Sequence, residues 1–272
     1  MHILVATGGS THSQTALQQC LMIAALAEVE VTVLTVVEHE DQPQADALLR
    51  EATAFLSPGV RLLRTKQRVG QPVAEIITET TEGSYDLLIM GDKAQHSLLT
   101  RLMGPTAQQV VAQVHCPVLL ARQEAHTLRR ILICDGGALT PPLTDRFATH
   151  LPQILEHAED VTVLHVMSQI SAAPGIPGQD LRADAQELIN AQTPEGEWLS
   201  RDLEILDQVE IEATPMVRHG LVVDEILAEA TDGSYDLIVV GAHPSEGWHR
   251  FLLENVTAKI VIEADRPVLV IP

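Results

Sequence analysis

The sequence predicts an α/β protein built from two homologous halves, each a parallel sheet with helices on both faces. Three observations carry this: apolar β-rich runs alternate with segments of helical period, those runs lack a polar face, and the chain repeats itself. Arg68–Gly91 aligns without a gap on Arg218–Gly241, with 13 of 24 positions identical. Gly83-Ser84-Tyr85-Asp86-Leu87 recurs as Gly233-Ser234-Tyr235-Asp236-Leu237, and the same offset carries Pro117-Val118-Leu119 onto Pro267-Val268-Leu269. Ile3-Leu4-Val5 matches Ile131-Leu132-Ile133, and Val31-Thr32-Val33-Leu34 matches Val161-Thr162-Val163-Leu164. The halves are therefore expected at 1–122 and 129–272, joined by the polar stretch Arg122 to Leu128.

In the first half the strand runs fall at about 2–6, 30–37, 60–68, 86–90 and 118–121, in the order βαβαβαβαβ. The first helix is expected from Ser13, with Ala16, Leu17, Cys20, Ile23 and Ala24 forming a stripe toward the sheet. Gly83 and Gly233 read as left-handed helix stops, after which Asp86 and Asp236 open the fourth strand. The second half keeps the order but carries about twenty extra residues at about 168–195. Ser168 to Asp180, with Pro174-Gly175-Ile176-Pro177-Gly178, reads as a loop, and Leu181 to Ala191 as an amphipathic helix. That insertion is read as a solvated excursion, with a lid or docking surface as the alternative.

Asp plus Glu number 37 against 17 Lys plus Arg, a formal charge of -20, which repels phosphate backbones and anionic lipid heads. Nucleic acid and membrane-surface partners are not expected. Leu21 to Ala27, the most apolar stretch, is far short of the roughly 20 residues of a membrane helix. Cys20, Cys116 and Cys134 show no CxxC spacing, so a reducing cytoplasm is expected rather than a disulfide framework or zinc site.

Open parallel sheets bind ligands beyond the carboxyl ends of their strands, where strand order reverses. After the first strand comes Thr7-Gly8-Gly9-Ser10; after the fourth comes Gly91-Asp92-Lys93, then a loop ending at Gly104-Pro105-Thr106 where a helix begins. Glycines let amides approach a phosphate, and a helix amino terminus adds unpaired N–H groups and positive dipole. Ordinary turn chemistry explains the same residues. Lys93 and Arg101 flank the loop, and read either as a local offset to the acidic field or as solvated surface charges, while Asp92 opposes them.

These residues together resemble the universal stress proteins, in the tandem form with two such domains in one chain. The carriers are Ile3-Leu4-Val5-Ala6, Tyr85-Asp86-Leu87-Leu88-Ile89-Met90-Gly91 with its partner Tyr235 to Gly241, and Cys116-Pro117-Val118-Leu119-Leu120. The resemblance implies two Rossmann-like domains of the adenine nucleotide alpha hydrolase type, each an open five-stranded parallel sheet covered on both faces. It implies a stress-response regulator binding ATP or AMP, with magnesium as a companion, through a glycine pattern after strand four. Gly91 takes the first glycine position, Ala94 the second, Gly104 the third, and Pro105 the Ser/Thr position with Thr106 beside it. Gly8 stands where the family usually has an Asp that meets the nucleoside. Val36 and Met90 fall where the family places apolar contacts to adenine. The expected site is thus Thr7, Gly8, Gly9, Ser10, Val36, Met90, Gly91, Lys93, Gly104 and Thr106. Strands near Val118 to Ala121 and Val268 to Ile271 are expected to pair, making the chain an internal pseudo-dimer. An unknown partner protein is the other implied ligand.

In the second half Pro244 and Glu254 replace the second and third glycines. A carboxylate at a helix start is stabilising by roughly 0.3–1 kcal/mol and takes the place of an anion. A phosphate about 4 Å away would feel repulsion on the order of 4 kcal/mol at an effective dielectric of about 20. At most one nucleotide site is expected, in the first half. No phosphate loop of the Gly-x4-Gly-Lys-Ser/Thr kind exists, so turnover is expected to be absent or slow, and no catalytic residue is assigned. Gly8-Gly9-Ser10-Thr11-His12 approaches a nucleophile elbow, but His12 stands in place of its last glycine. His165, His243 and His249 lack close metal-ligand spacing, and His165 reads as a satisfied, half-buried histidine. The alternative function is a nucleotide-independent interaction scaffold.

Overall fold

The computed structural model describes residues 1–39, 43–91, 105–122, 127–137, 139–168, 183–242 and 250–272. It divides into two compact units, Met1–Thr127 with Val261–Pro272, and Leu128–Ile260.

In the first unit β1 (His2–Ala6), β2 (Glu30–Val37), β3 (Leu62–Val69), β4 (Leu87–Gly91) and β5 (Val118–Ala121) alternate with α1 (Thr11–Ala24), α2 (Pro43–Leu56), α3 (Pro72–Glu82) and α4 (Pro105–Val111). The strand order is β3-β2-β1-β4-β5, and all these neighbours are parallel. Parallel strands need crossover helices, which cover the faces, so central strands carry apolar side chains on both sides. Ile3, Leu4, Val5, Leu87, Leu88 and Ile89 are accordingly all fully buried. Helix α1 begins two residues before the expected Ser13, because the Ser10 hydroxyl accepts from the Ser13 amide and caps it. Its inner stripe is Ala16, Leu17, Cys20 and Ile23.

A sixth strand, β10 (Val268–Ile271), joins this unit antiparallel to β5, with Val268 opposite Leu120 and Leu269 opposite Leu119. The sheet is therefore mixed at that pair. Arg122, directly after β5, is 3% exposed and donates to the carbonyls of Val261 and Ala264.

The second unit repeats the plan with β6 (Arg130–Cys134), β7 (Asp160–Ser168), β8 (Ala213–Gly220) and β9 (Leu237–Gly241), parallel in the order β9-β6-β7-β8. Its helices are α5 (Leu143–His150), α6 (Pro152–Leu155), α7 (Ala185–Asn190), α8 (Pro194–Gln208) and α9 (Val222–Asp232), and α10 (Arg250–Glu263) leads on to β10. The inserted helix is shorter than the expected Leu181 to Ala191: Asp184 and Glu187 form a capping box that starts α7 at Ala185. Helix α8 follows β7 as α2 follows β2, each starting on a proline, after connections of 25 and 5 residues. The expected loop from Ser168 lies, from residue 169 to 182, outside the described residues.

The repeated segment has a repeated purpose. Arg68 on β3 donates to Glu75, Glu79 and Glu82 on α3, and Arg218 on β8 reaches Glu225, Glu229 and Asp232 on α9. Tyr85 and Tyr235 donate to Glu79 and Glu229. Asp86 and Asp236 accept backbone N–H groups from the starts of β1 and β6, tying the fourth strand to the first in each unit.

The left-handed stop expected at Gly83 and Gly233 falls on neither glycine, and in the second unit the positive φ is at Ser234, with φ 52. Gly83 has φ -98 and ψ 149, and Gly233 has φ -81 and ψ -4. Glycine is required there by close approach instead. A Cβ on Gly83 would lie 2.3 Å from the Tyr85 ring, and one on Gly233 2.2 Å from the Tyr235 ring.

Candidate functional site

Chain order places β2 and β3 on one side of β1 and β4 on the other, so strand order reverses between β1 and β4. Ala6 pairs with Leu34 on one side and Met90 on the other, which brings Thr7, Val36 and Met90 to one edge of the sheet. Thr7 and Met90 are buried and Val36 is partly exposed. Gly8 and Gly9 are exposed, and Ser10 half-buried, in the turn that feeds α1.

The two glycines differ. Among the described residues a Cβ on Gly8 would meet nothing within 4 Å. Gly9 has φ +73, and a Cβ there would lie 2.4 Å from Leu48 of α2, so it is fixed by its backbone and by packing. Gly91 is fixed by packing as well, since a Cβ would sit 2.0 Å from the carbonyl oxygen of His12. That contact presses the first turn of α1 against the end of β4 and narrows the crevice between them.

The turn also satisfies its own donors. The Gly8 amide donates to Ser13 Oγ at 3.1 Å, and the Gly9 amide points to Thr7 Oγ1 at 3.5 Å. Ser10 and Ser13 hydroxyls lie 3.3 Å apart. Thr106 is the second residue of α4 and half-exposed. Lys93, Gly104, Ala94, Asp92 and Arg101 fall outside the described residues, as do Pro244, His243 and His249 in the second half, and nothing is described of the Glu254 side chain. A groove of about 860 Å³ among the described residues lies at the opposite ends of the strands, lined in part by His2, Glu30, Arg61 and Asp86.

The second unit lines the equivalent edge with side chains that the sequence did not single out as a group. Asp135 directly follows β6, with Oδ1 accepting from Gly137 at 2.7 Å and Oδ2 from the Leu143 amide at the start of α5 at 2.9 Å. His165 Nδ1 lies 3.2 Å from the Asp135 carbonyl oxygen, and burial holds its pKa below the usual value. Its ring meets Trp198 of α8, with centroids 5.6 Å apart. A Cβ on Gly137 would lie 2.1 Å from that indole, where Leu48 meets Gly9 in the first unit. One turn along α8, Asp202 accepts from the Thr144 hydroxyl at 3.0 Å and from Arg201 at 3.3 Å. Buried Cys20 and half-buried Cys116 have thiols pushed up to about 12 and about 11 by burial, so neither is a ready thiolate.

Fold and edge define an α/β protein of the kind that takes ligands at a strand-order switch. The Universal stress protein family profile matches residues 1–122 and again 127–272, and the chain belongs to that family as a tandem of two domains. A universal stress protein of Synechocystis sp. is 29% identical over 120 residues, which is 44% of this chain and 42% of that protein. One from Methanocaldococcus jannaschii is 26% identical over 125 residues, 42% of this chain and 77% of that protein. The match thus spans less than half of the first curated relative. A universal stress protein from Archaeoglobus fulgidus superposes with TM-score 0.68 at 17% identity over 99% of this chain and 97% of that one. A functionally unknown protein from Pseudomonas aeruginosa gives 0.69 at 17% identity over 99% and 92%. At that identity the likeness is one of fold. Among the described residues no helix is long and apolar enough to cross a membrane.

Proposed function

We propose that the first half is a nucleotide-responsive regulatory site of the stress response, and that the protein works in a reducing cytoplasm as a pseudo-dimer of the halves 1–122 and 129–272. ATP or AMP, with magnesium as companion, would sit at Thr7, Gly8, Gly9, Ser10, Val36, Met90 and Gly91, with Lys93, Gly104 and Thr106 on the phosphate side. The observation that carries this reading is the place of Gly8, exposed and unobstructed among the described residues, beside the buried Met90 edge where strand order reverses. The signal would be a shift in the population of a partner-binding surface, with turnover slow or absent. In the second half Trp198 packs on Gly137 as Leu48 packs on Gly9, and Gly136 is as open among the described residues as Gly8, so the reading of a single site per chain rests on Pro244 and Glu254 in the sequence.

A second reading, a nucleotide-independent scaffold for a partner protein, is favoured by one observation. The Gly8 amide is already engaged by Ser13 Oγ, so a phosphate there must displace an existing bond. Calorimetric titration with ATP and AMP, with and without magnesium, tests both readings on wild type and Gly104→Glu. Binding near one per chain that disappears in the variant supports the regulator. No heat from wild type, and no nucleotide released on denaturing the purified protein, leaves the scaffold.

A further inference from the structure

Helix α8 carries two inward groups one turn apart, and both do something unusual for a surface helix. Trp198 packs against Gly137 and meets His165. Asp202 is 1% exposed and takes a hydrogen bond from Thr144, which is itself 0% exposed, on α5. A carboxylate sealed this way, on the helix that also holds the indole over the strand edge, couples its own charge to the seating of that indole.

We propose that the ligand of the second half is a proton: protonation of Asp202 seats α8, and with it Trp198, against Gly137, and ionisation loosens that seat. The surroundings fit. Burial and, after it, the nearby Asp135 charge together push the Asp202 carboxyl up to about 6, against Arg201 and Thr144, which favour ionisation. Asp135 cannot relieve the repulsion by turning away, since both its oxygens are held by backbone N–H groups. From α5 the charged neighbour is Arg146, which feels Asp135. On β7 it is His165, which feels Glu195 of α8 and Asp135. Behind α8, Arg218 of β8 is committed to α9 and His219 to the Ala183 carbonyl, while Asp184 and Glu187 at α7 hold each other's backbone in the capping box. The half that sequence reading denied a nucleotide would thus report proton concentration, independently of whether the first half binds one.

Trp198 supplies the readout. The chain has 2 tryptophans, so Trp248→Phe leaves Trp198 as the only one. In that background acrylamide quenching should be about twofold stronger at about pH 7.5 than at about pH 5, with a midpoint near the Asp202 value of about 6. Adding Asp202→Asn should leave quenching flat at the low level, and His165→Gln should keep the step. Thr144→Val, which removes a bond favouring the ionised form, should move the midpoint upward, and it decides the matter should Asp202→Asn fail to fold. A pH-independent wild type, a step that survives Asp202→Asn but vanishes in His165→Gln, or an unmoved midpoint in Thr144→Val would each overturn the proposal.

Discussion

The ring of Tyr85 occupies the space in which a side chain on Gly83 would begin, with Cε2 2.3 Å from that Cβ position, and Tyr235 stands the same way to Gly233. Two residues separate helix end from aromatic, so the chain must fold back on itself without a side chain in the bend. In return each tyrosine reaches a buried glutamate, Tyr85 to Glu79 at 2.6 Å and Tyr235 to Glu229 at 3.3 Å. Gly83→Ala must push the ring away. Urea unfolding should show a loss of about 1–3 kcal/mol, the usual cost of overpacking. Gly8→Ala, where none of the described residues lies within 4 Å, should stay within about 0.5 kcal/mol of wild type.

Glu79 gathers Lys66, Arg68 and Tyr85 around a carboxylate that is 1% exposed. Burial pushes its pKa up, but the hydrogen bonds from Lys66, Tyr85 and Arg68 outweigh it, and the net shift is downward. A folded value below the unfolded 4.5 means that its stabilisation is complete above that pH and is lost as pH falls through the folded value. Glu79→Gln should therefore cost about 1.5–3 kcal/mol at neutral pH. The gap to wild type should close in acid, which chemical denaturation at stepped pH will show.

The room at Gly8 among the described residues makes a specific gain of affinity testable. Gly8→Asp restores the carboxylate that the family usually carries there, and none of the described residues obstructs it. If the first half holds adenine nucleotides, this variant should bind ATP about tenfold more tightly, equal to about 1.4 kcal/mol. Unchanged or weaker binding in calorimetry would count against the Gly8 turn as the nucleoside contact.

Asp202 acts with the opposite sign to Glu79. Its folded value of about 6 lies above the unfolded 3.8, so the folded state loses stability as pH rises from the lower value through the upper and is level beyond it. Asp202→Asn keeps an acceptor for Thr144 and Arg201 but sheds the buried charge. Thermal unfolding at pH about 7.5 should show the variant more stable by on the order of 1–3 kcal/mol, with the advantage fading toward pH about 4.

Apolar runs fixed in sequence the places of β1, β2, β4 and β5, because strands buried on both faces leave no polar alternation to misread. Edge strand β3 was displaced by two residues at its start, since Leu62 and Val69 are exposed and its interior is charged. At the candidate site, Thr7 through Ser10, Val36 and Met90 were legible because they end strands. Trp198 was not: the insertion hides that α8 is the counterpart of α2, and only the packed structure sets Trp198 where Leu48 stands in the first unit. Asp202 and Thr144 are 58 residues apart, beyond any local pattern. Asp135 did leave a signal, an acid between a strand and Gly136-Gly137, but turn chemistry accounts for that as well.

The pairing of β5 with β10 has a consequence for how the molecule is made. Val118, Leu119, Leu120 and Ala121 are at most 1% exposed, and one edge of that strand is closed only by residues 268–271. On the ribosome the first unit therefore waits, with an apolar strand edge uncovered, until residues 268–271 have been translated. Such an edge is a template for a stranger. Speed of synthesis through the second unit, and the chaperones at hand while it proceeds, thus bear on the fate of the first.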